Sequence, residues 1–364
     1  MKIINRYIIR EFLSPFMYSL LSFISIFMIV DLFDTLDETL THNVHILTLG
    51  KYYLLLTPYI LVNVIPITVL LASFYSIKNF NKHNEIIAIR MSGVSLFKLL
   101  KPFLKLGILI SLIVLIINET LVPQTLYRAD TLRKTKMRDQ SPQKKTKQKN
   151  IENLGFHGKD NRLYYIGKFD VNKKEIQNIL IFKYNNENIL KQRISALSGT
   201  WEENSWLFKD VIVSTYTSSE SFPQQKIFKE RIFNIDITPE TLGKNKNQTE
   251  YMNSYDLYQL IYKFSQEDSK IRNKFIVDLC YKTAFPFTSL MILLFSLPLA
   301  LLRSRSGALM SIGASILIGI IFYAVMSISI AFGKGGIFPP LISAWFANIL
   351  FGGFGICLTI AIHK

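Results

Sequence analysis

The chain has 364 residues, 49% of them hydrophobic, and a formal charge of +16, with mean hydropathy +0.26. Its apolar residues gather in long blocks toward both ends and leave a polar middle, which excludes an ordinary water-soluble fold. Cys280 and Cys357, the only cysteines, lie far apart at or inside apolar runs, which does not indicate a disulfide framework and fits filler in packed helices.

The opening stretch "MKIINRYIIREFLSPF" reads as a retained anchor, because the apolar run is too long for a cleavable signal and no small-residue cleavage site follows. Three apolar blocks come first: Phe12–Val30, Tyr52–Ile77 and Leu106–Val122, the last interrupted only by Asn118 and Glu119. Three more follow the polar middle: Phe285–Leu302, Gly307–Phe332 and Ile337–Ile362, all free of charge. A span needs roughly 20 apolar residues. A charge at its centre costs about 2.5–3.5 kcal/mol on insertion scales. The expected architecture is therefore an α+β integral membrane protein of six transmembrane helices, three on each side of an outer domain.

Orientation follows from the short loops. With the N-terminus inside, Lys2, Arg6, Arg10, Lys78, Lys82, Arg90, Lys98, Lys101, Lys105, Arg303, Arg305 and Lys364 face the cytoplasm, against Lys51 and Lys334 outside. Both termini are then cytoplasmic and the central domain faces outward. The net charge fits cytoplasmic anchoring, or attraction of the Arg128, Arg133, Lys134, Lys136 and Arg138 cluster to an anionic lipid. Nucleic acid does not suit charges on the outer side of a membrane.

Between the second and third blocks lies "NEIIAIRMSGVSLFKLLKP", Asn84 to Pro102. It reads as a short amphipathic helix over 84–92, a break at Ser92-Gly93 and a new helix capped by Ser95. Glu85 suits the positive end of the helix dipole. Gly93 suits the left-handed stop that ends many helices.

In the polar middle, Gln140–Asn150 reads as a Lys-rich loop or linker. Strands are expected at 162–169, 176–184, 189–197, 206–216 and 226–236, with turns at Asn185-Asn186, Ser198-Gly199 and Phe222-Pro223. This spacing argues for a β sandwich or barrel. Asn253-Ser254 then caps a helix through "YDLYQLIYKF". The expected division is 1–122, 123–275 and 276–364.

No G-x-x-x-x-G-K-[ST], H-E-x-x-H or G-x-S-x-G sequence occurs, so neither a P-loop ATPase nor a hydrolase is expected. His42 and His45 read as solvated, and no metal site is expected. Asp31, Asp34 and Asp37 fit either an ordinary interfacial helix end or the polar lining of a lateral opening. Glu119 and Lys282 form a candidate pair at one depth, because ionisable groups within a membrane need partners.

Four stretches resemble the lipopolysaccharide-export permeases, the LptF/LptG (YjgP/YjgQ-type) family: "NRYIIREFLSPF", "NEIIAIRMSG", "NETLVP" at 118–123 and "YKTAFPF" at 281–287. "DLFDTLD" and "GKGGIFPPLISAWFANILF" look closer to the LptG member, with the sister LptF type as the alternative. The resemblance implies a β-jellyroll-like periplasmic domain in a multi-pass protein of the bacterial inner membrane. It implies a permease, not an enzyme, that pairs with a second permease. A cytoplasmic ABC ATPase (LptB type) would bind the ATP, so this chain needs no cofactor of its own. Lipopolysaccharide would be the substrate, passed to a periplasmic bridge (LptC type). Carried onto this chain, Glu85, Ile89, Arg90 and Gly93 would couple to the ATPase. Lys282, Arg128, Arg133, Asp34 and Asp37 would border the lipid, although the cations equally suit headgroups or neighbouring acids. Other readings are a lipoprotein-releasing permease, which six spans with a central domain count against, and a membrane scaffold whose β domain docks other proteins.

Overall fold

A computed structural model describes residues 2–41, 44–82, 85–92, 96–133, 135, 150–157, 162–170, 173–184, 190–202, 205–216, 224–233, 238–239, 248–262, 269–302 and 308–363. The chain divides into two compact units, a helical one of 1–139 with 253–364 and a β unit of 140–252. The outer domain expected at 123–275 is thus narrower. Residues 123–139 and 253–275 join the helical unit, with helices at Val122–Leu132, at Ser254–Tyr262 and from Ser269 onward.

The helical unit contains α1 (Lys2–Thr41), α2 (Ile46–Lys82), α3 (Glu85–Met91), α4 (Leu96–Ile116), a π-helical turn (Ile117–Leu121) and α5 (Val122–Leu132). After the β unit come α6 (Ser254–Tyr262), α7 (Ser269–Ala284), a 3-10 turn (Phe285–Phe287), α8 (Thr288–Leu302), α9 (Ala308–Lys334) and α10 (Pro340–His363). Six stretches among the described residues are long and apolar enough to cross a membrane: Ile3–Leu36, Ile46–Lys82, Phe97–Leu132, Arg272–Leu302, Ile312–Lys334 and Pro340–Ile362.

Three of these reach further than hydropathy alone indicates. α1 does not stop at its aspartates but continues through them to Thr41. The third span crosses Pro123, whose ring would press on the carbonyl of residue 119 in a regular helix. The π turn at Ile117–Leu121 widens the backbone where that clash would fall. The fourth span starts at Arg272, within a polar helix, and passes Pro286 through the 3-10 turn. Lys282 therefore lies within a helix that continues into the apolar run, rather than on a loop before it.

α2 is the central helix and packs on α1, α8 and α9. Val69, Leu70, Phe74 and Ile77 of α2 share a core with Phe12, Phe103, Leu293 and Phe322. Hydroxyls and amides join the helices, as is usual where apolar contact alone gains little over lipid. Ser73 Oγ donates to Ser296 Oγ (2.6 Å), Tyr323 Oη to the Asn63 carbonyl (2.9 Å) and Asn348 Nδ2 to the Ala284 carbonyl (2.8 Å). In α1 only 17% of the most apolar stretch is buried, against 50% in α2. α1 is therefore a peripheral helix with a broad apolar face.

The β unit holds one antiparallel sheet in sequential order β1 to β6: Asn150–His157, Arg162–Asp170, Glu175–Tyr184, Leu190–Glu202, Ser205–Thr215 and Gln224–Phe233. The expected sandwich or barrel is, among the described residues, this single meander. β1 ("NIENLGFH") was not foreseen, because Asn150, Asn153 and Gly155 dilute its strand character. Ser198-Gly199 is not a turn. β4 runs on to Glu202, with Trp201 paired to Trp206. Gly199 serves close packing instead, since a Cβ there would lie 2.3 Å from Cδ1 of Phe208.

A crease crosses the sheet. Alternate residues of a strand normally share a face, yet Ile176 and Ile179 both point into the core, as do Phe208 and Val211. The parity changes at Asn178 (φ 55°) and Asp210 (φ 53°), both left-handed. A branched side chain resists that conformation, which costs L-residues about 1–2 kcal/mol. Asp210→Val is expected to destabilise the sheet by about that amount, whereas Asp210→Gly should match or exceed the parent. The denaturant midpoint of tryptophan fluorescence in the full chain measures this. An unshifted midpoint for Asp210→Val would contradict the crease.

Candidate functional site: the α3 surface and the polar ends of the spans

α3 is the short charged helix expected between spans two and three. It starts at Glu85 and ends at Met91, with Ser92 N–H donating to the Ala88 carbonyl (3.1 Å). Tyr7 Oη of α1 donates to Glu85 Oε1 (3.0 Å), and the Tyr7 ring meets Phe80 of α2 edge-on at 5.7 Å. Ile86 is buried in the helical core. One turn further along α1, the Glu11 backbone accepts from Ser76 Oγ (3.0 Å) and its carboxylate accepts from Asn79 Nδ2. α3 is thereby fastened to both α1 and α2, while Ala88, Met91 and Ser92 stay exposed. The side chains of Ile89 and Arg90, and all of Asn84 and Gly93, lie outside the described residues.

At the opposite ends of the spans, Asp31 of α1 gathers with Tyr52 and Tyr53 of α2 and with Arg133 beyond α5. Tyr52 and Tyr53 are 5.2 Å apart, edge to face. Thr35 Oγ1 donates back to the Asp31 carbonyl (2.8 Å). Arg133, expected at the lipid border, therefore acts on Asp31 and Tyr52. The tyrosines were missed because nothing in an apolar helix start marks an aromatic pair as facing a carboxylate. Asp34 and Arg128 are exposed on their helices. Asp37 lies in the last turns of α1, and its side chain is outside the described residues.

Glu119, in the π turn, accepts twice from Ser254: Oε2 from the backbone N–H (2.8 Å) and Oε1 from the hydroxyl (2.6 Å). Ser254 opens α6, and Asn253 caps that helix by accepting the Asp256 N–H at Oδ1 (2.7 Å). Lys282 is half-buried on α7. Nearby in that helical layer Lys334 Nζ pairs with Asp278 Oδ1 (2.6 Å), and Asn273 Nδ2 donates to the Gly333 carbonyl (3.2 Å). These bonds tie α9 to α7.

Six apolar stretches, three before and three after a β-sheet unit in the chain, with a short charged helix between the second and third, define a multi-pass membrane protein. The profile of the lipopolysaccharide export system permease LptF/LptG family matches residues 6–361. That is nearly the whole chain, and the protein belongs to this family. No curated protein matches it significantly. The chain is accordingly a lipopolysaccharide export permease, a multi-pass protein of the inner membrane and a member of an export complex with other subunits.

Proposed function

We propose that the chain is one permease subunit, of the LptG type, in an ABC exporter that lifts lipopolysaccharide from the inner membrane and hands it to a periplasmic bridge. A second permease completes the cavity, and a separate LptB-type ATPase binds and hydrolyses the ATP. The observation that carries this reading is α3. A chain without a nucleotide-binding motif keeps a small rigid helix, fixed to α1 by Tyr7–Glu85 and to the core by Ile86, with its other side open. A push on that surface tilts α1 and α2 together. ATP binding to the partner then shifts the population from an open to a closed cavity. The N- and C-termini lie in the cytoplasm and the β unit in the periplasm, as the basic loops support.

The broad apolar face of α1 supports pairing with the second permease. Arg128, with Lys282 and Arg133, provides cations for the phosphates of the lipid, and Asp34 and Asp37 border the same opening. A sister role as the LptF-type subunit fits the same architecture. Extraction in mild detergent tests the whole reading. A P-loop ATPase and a second six-span permease are expected to co-purify. Their failure to do so, with the chain intact and folded, favours a scaffold.

Glu119 also pairs with Lys282, in addition to its bonds to Ser254. Glu119→Lys and Lys282→Glu are each expected to impair transport, and the double reversal to recover part of the loss relative to Glu119→Lys, the bonds to Ser254 staying broken. Failure of the double variant to recover would remove the pair.

A further inference from the structure

We propose that α6 is an interfacial helix whose tyrosine face rests in the headgroup zone of the bilayer leaflet on the β-unit side. Tyr255, Tyr258 and Tyr262 are 68%, 56% and 81% exposed. Their spacing of three and four puts them on one stripe, roughly 60° wide at 100° per residue. Leu257 and Ile261 lie on a separate stripe, centred about 110° round the helix, and are buried, where α6 packs on α7. The helix is therefore amphipathic in an unusual sense, with an aliphatic side against protein and an aromatic side against its surroundings.

The surroundings are identified by depth. Ser254, the first residue of α6, is held by the Glu119 carboxylate. Glu119 belongs to the third membrane-crossing stretch, Phe97–Leu132. The helix that packs beneath α6 enters the fourth stretch at Arg272. Both neighbours of α6 thus run into the hydrocarbon, and Tyr127 lies beyond Glu119 on the same helix, about 12 Å further at 1.5 Å per residue. α6 starts no farther from the bilayer than that exposed ring. A tyrosine at this level keeps its ring among acyl and glycerol carbons and its hydroxyl among headgroups. Three such rings on one side of a nine-residue helix fit a lipid surface. The consequence is mechanical: the segment joining the β unit to span four is held at the membrane surface by lipid and by Glu119 together.

The test uses the full chain, with the subunits that accompany it, in vesicles of phosphatidylethanolamine and phosphatidylglycerol. Cys280 and Cys357 are replaced by serine, and Tyr255→Cys, Tyr258→Cys and Tyr262→Cys are spin-labelled one at a time. The expected result is more frequent collision with dissolved oxygen than with a water-soluble nickel chelate at all three sites, while Asp256→Cys shows the reverse. Nickel access at the three tyrosine sites would place the face in water and overturn the proposal. Immobile labels reached by neither reagent would mean that protein covers it and would overturn it equally. Should labelled variants insert poorly, Tyr258→Trp gives the same answer: brominated lipid quenches its emission if the proposal holds and leaves it unchanged if it does not.

Discussion

Gly355→Leu is expected to abolish recovery of folded protein from the membrane, while Gly353→Leu, two positions away, leaves it intact. Gly355 lies where α10 crosses α8. A Cβ at that position would lie 2.5 Å from the Leu294 carbonyl oxygen, 2.6 Å from its carbon and 2.7 Å from the Phe295 nitrogen. All three are backbone atoms, so no rotamer change relieves the contact and the two helices must separate. Overpacking of a core usually costs about 1–3 kcal/mol, and separating two spans adds the loss of their close van der Waals contact. The same crossing supports Asn348, whose amide donates to the Ala284 carbonyl and whose Oδ1 accepts from Thr288. Forcing the helices apart therefore also strands buried polar groups. Gly352 is the intermediate case, because a Cβ there meets the Met291 sulfur at 2.7 Å and that side chain can move. Nothing lies within 4 Å of a Cβ at Gly353. The yield of folded protein in detergent, read by size-exclusion chromatography, should be lowest for Gly355→Leu, intermediate for Gly352→Leu and equal to the parent for Gly353→Leu. A Gly355→Leu protein recovered as well as the parent would refute the crossing.

The contrast between these glycines shows what a sequence withholds. "FGGFG" looks like three interchangeable small residues, and only the partner helix distinguishes them. The same limit applies elsewhere. Six spans were legible because charge-free runs of this length have no other stable home. Their ends were not, since hydropathy reports lipid and not helix. α1 runs on through Asp31 and Asp34, span three through Pro123 by a π turn, and span four backward into "SKIRNKFIVDLCYKTA". In the β unit, alternation marks five of the six strands among the described residues, but Ser198-Gly199 reads locally as a turn while Gly199 in fact passes beneath Phe208 within β4. Glu85 could be singled out from its position at the start of a charged helix between apolar runs. Its partner Tyr7 could not, because 78 residues separate them. Glu119 was visible as an acid in an apolar run. That Ser254 receives it depends on where the chain returns from the β unit, and no local pattern encodes this.

Glu85→Lys is expected to cut co-purification of the ATPase at least tenfold while leaving insertion and the melting temperature close to the parent. α3 has only seven residues, so its own folding adds little to the helical unit, and Ile86 still anchors it in the core. The change reverses a charge in the first turn, where a carboxylate gains about 0.3–1 kcal/mol from the helix dipole. It also removes the acceptor that ties α3 to Tyr7 and puts a cation three residues from Lys82 in the sequence. A loss of about 1.4 kcal/mol at the contact is enough for a tenfold drop in affinity. Tyr7→Phe separates the two roles of the carboxylate. It removes the hydrogen bond and keeps the charge, so it should retain the ATPase but lower transport per ATP hydrolysed, because the push reaches α1 less rigidly. If Tyr7→Phe loses the ATPase as completely as Glu85→Lys, Glu85 acts by positioning α3 and not by meeting the partner. If Glu85→Lys binds and couples normally, α3 is a connector between spans, and the work enters the permease somewhere else.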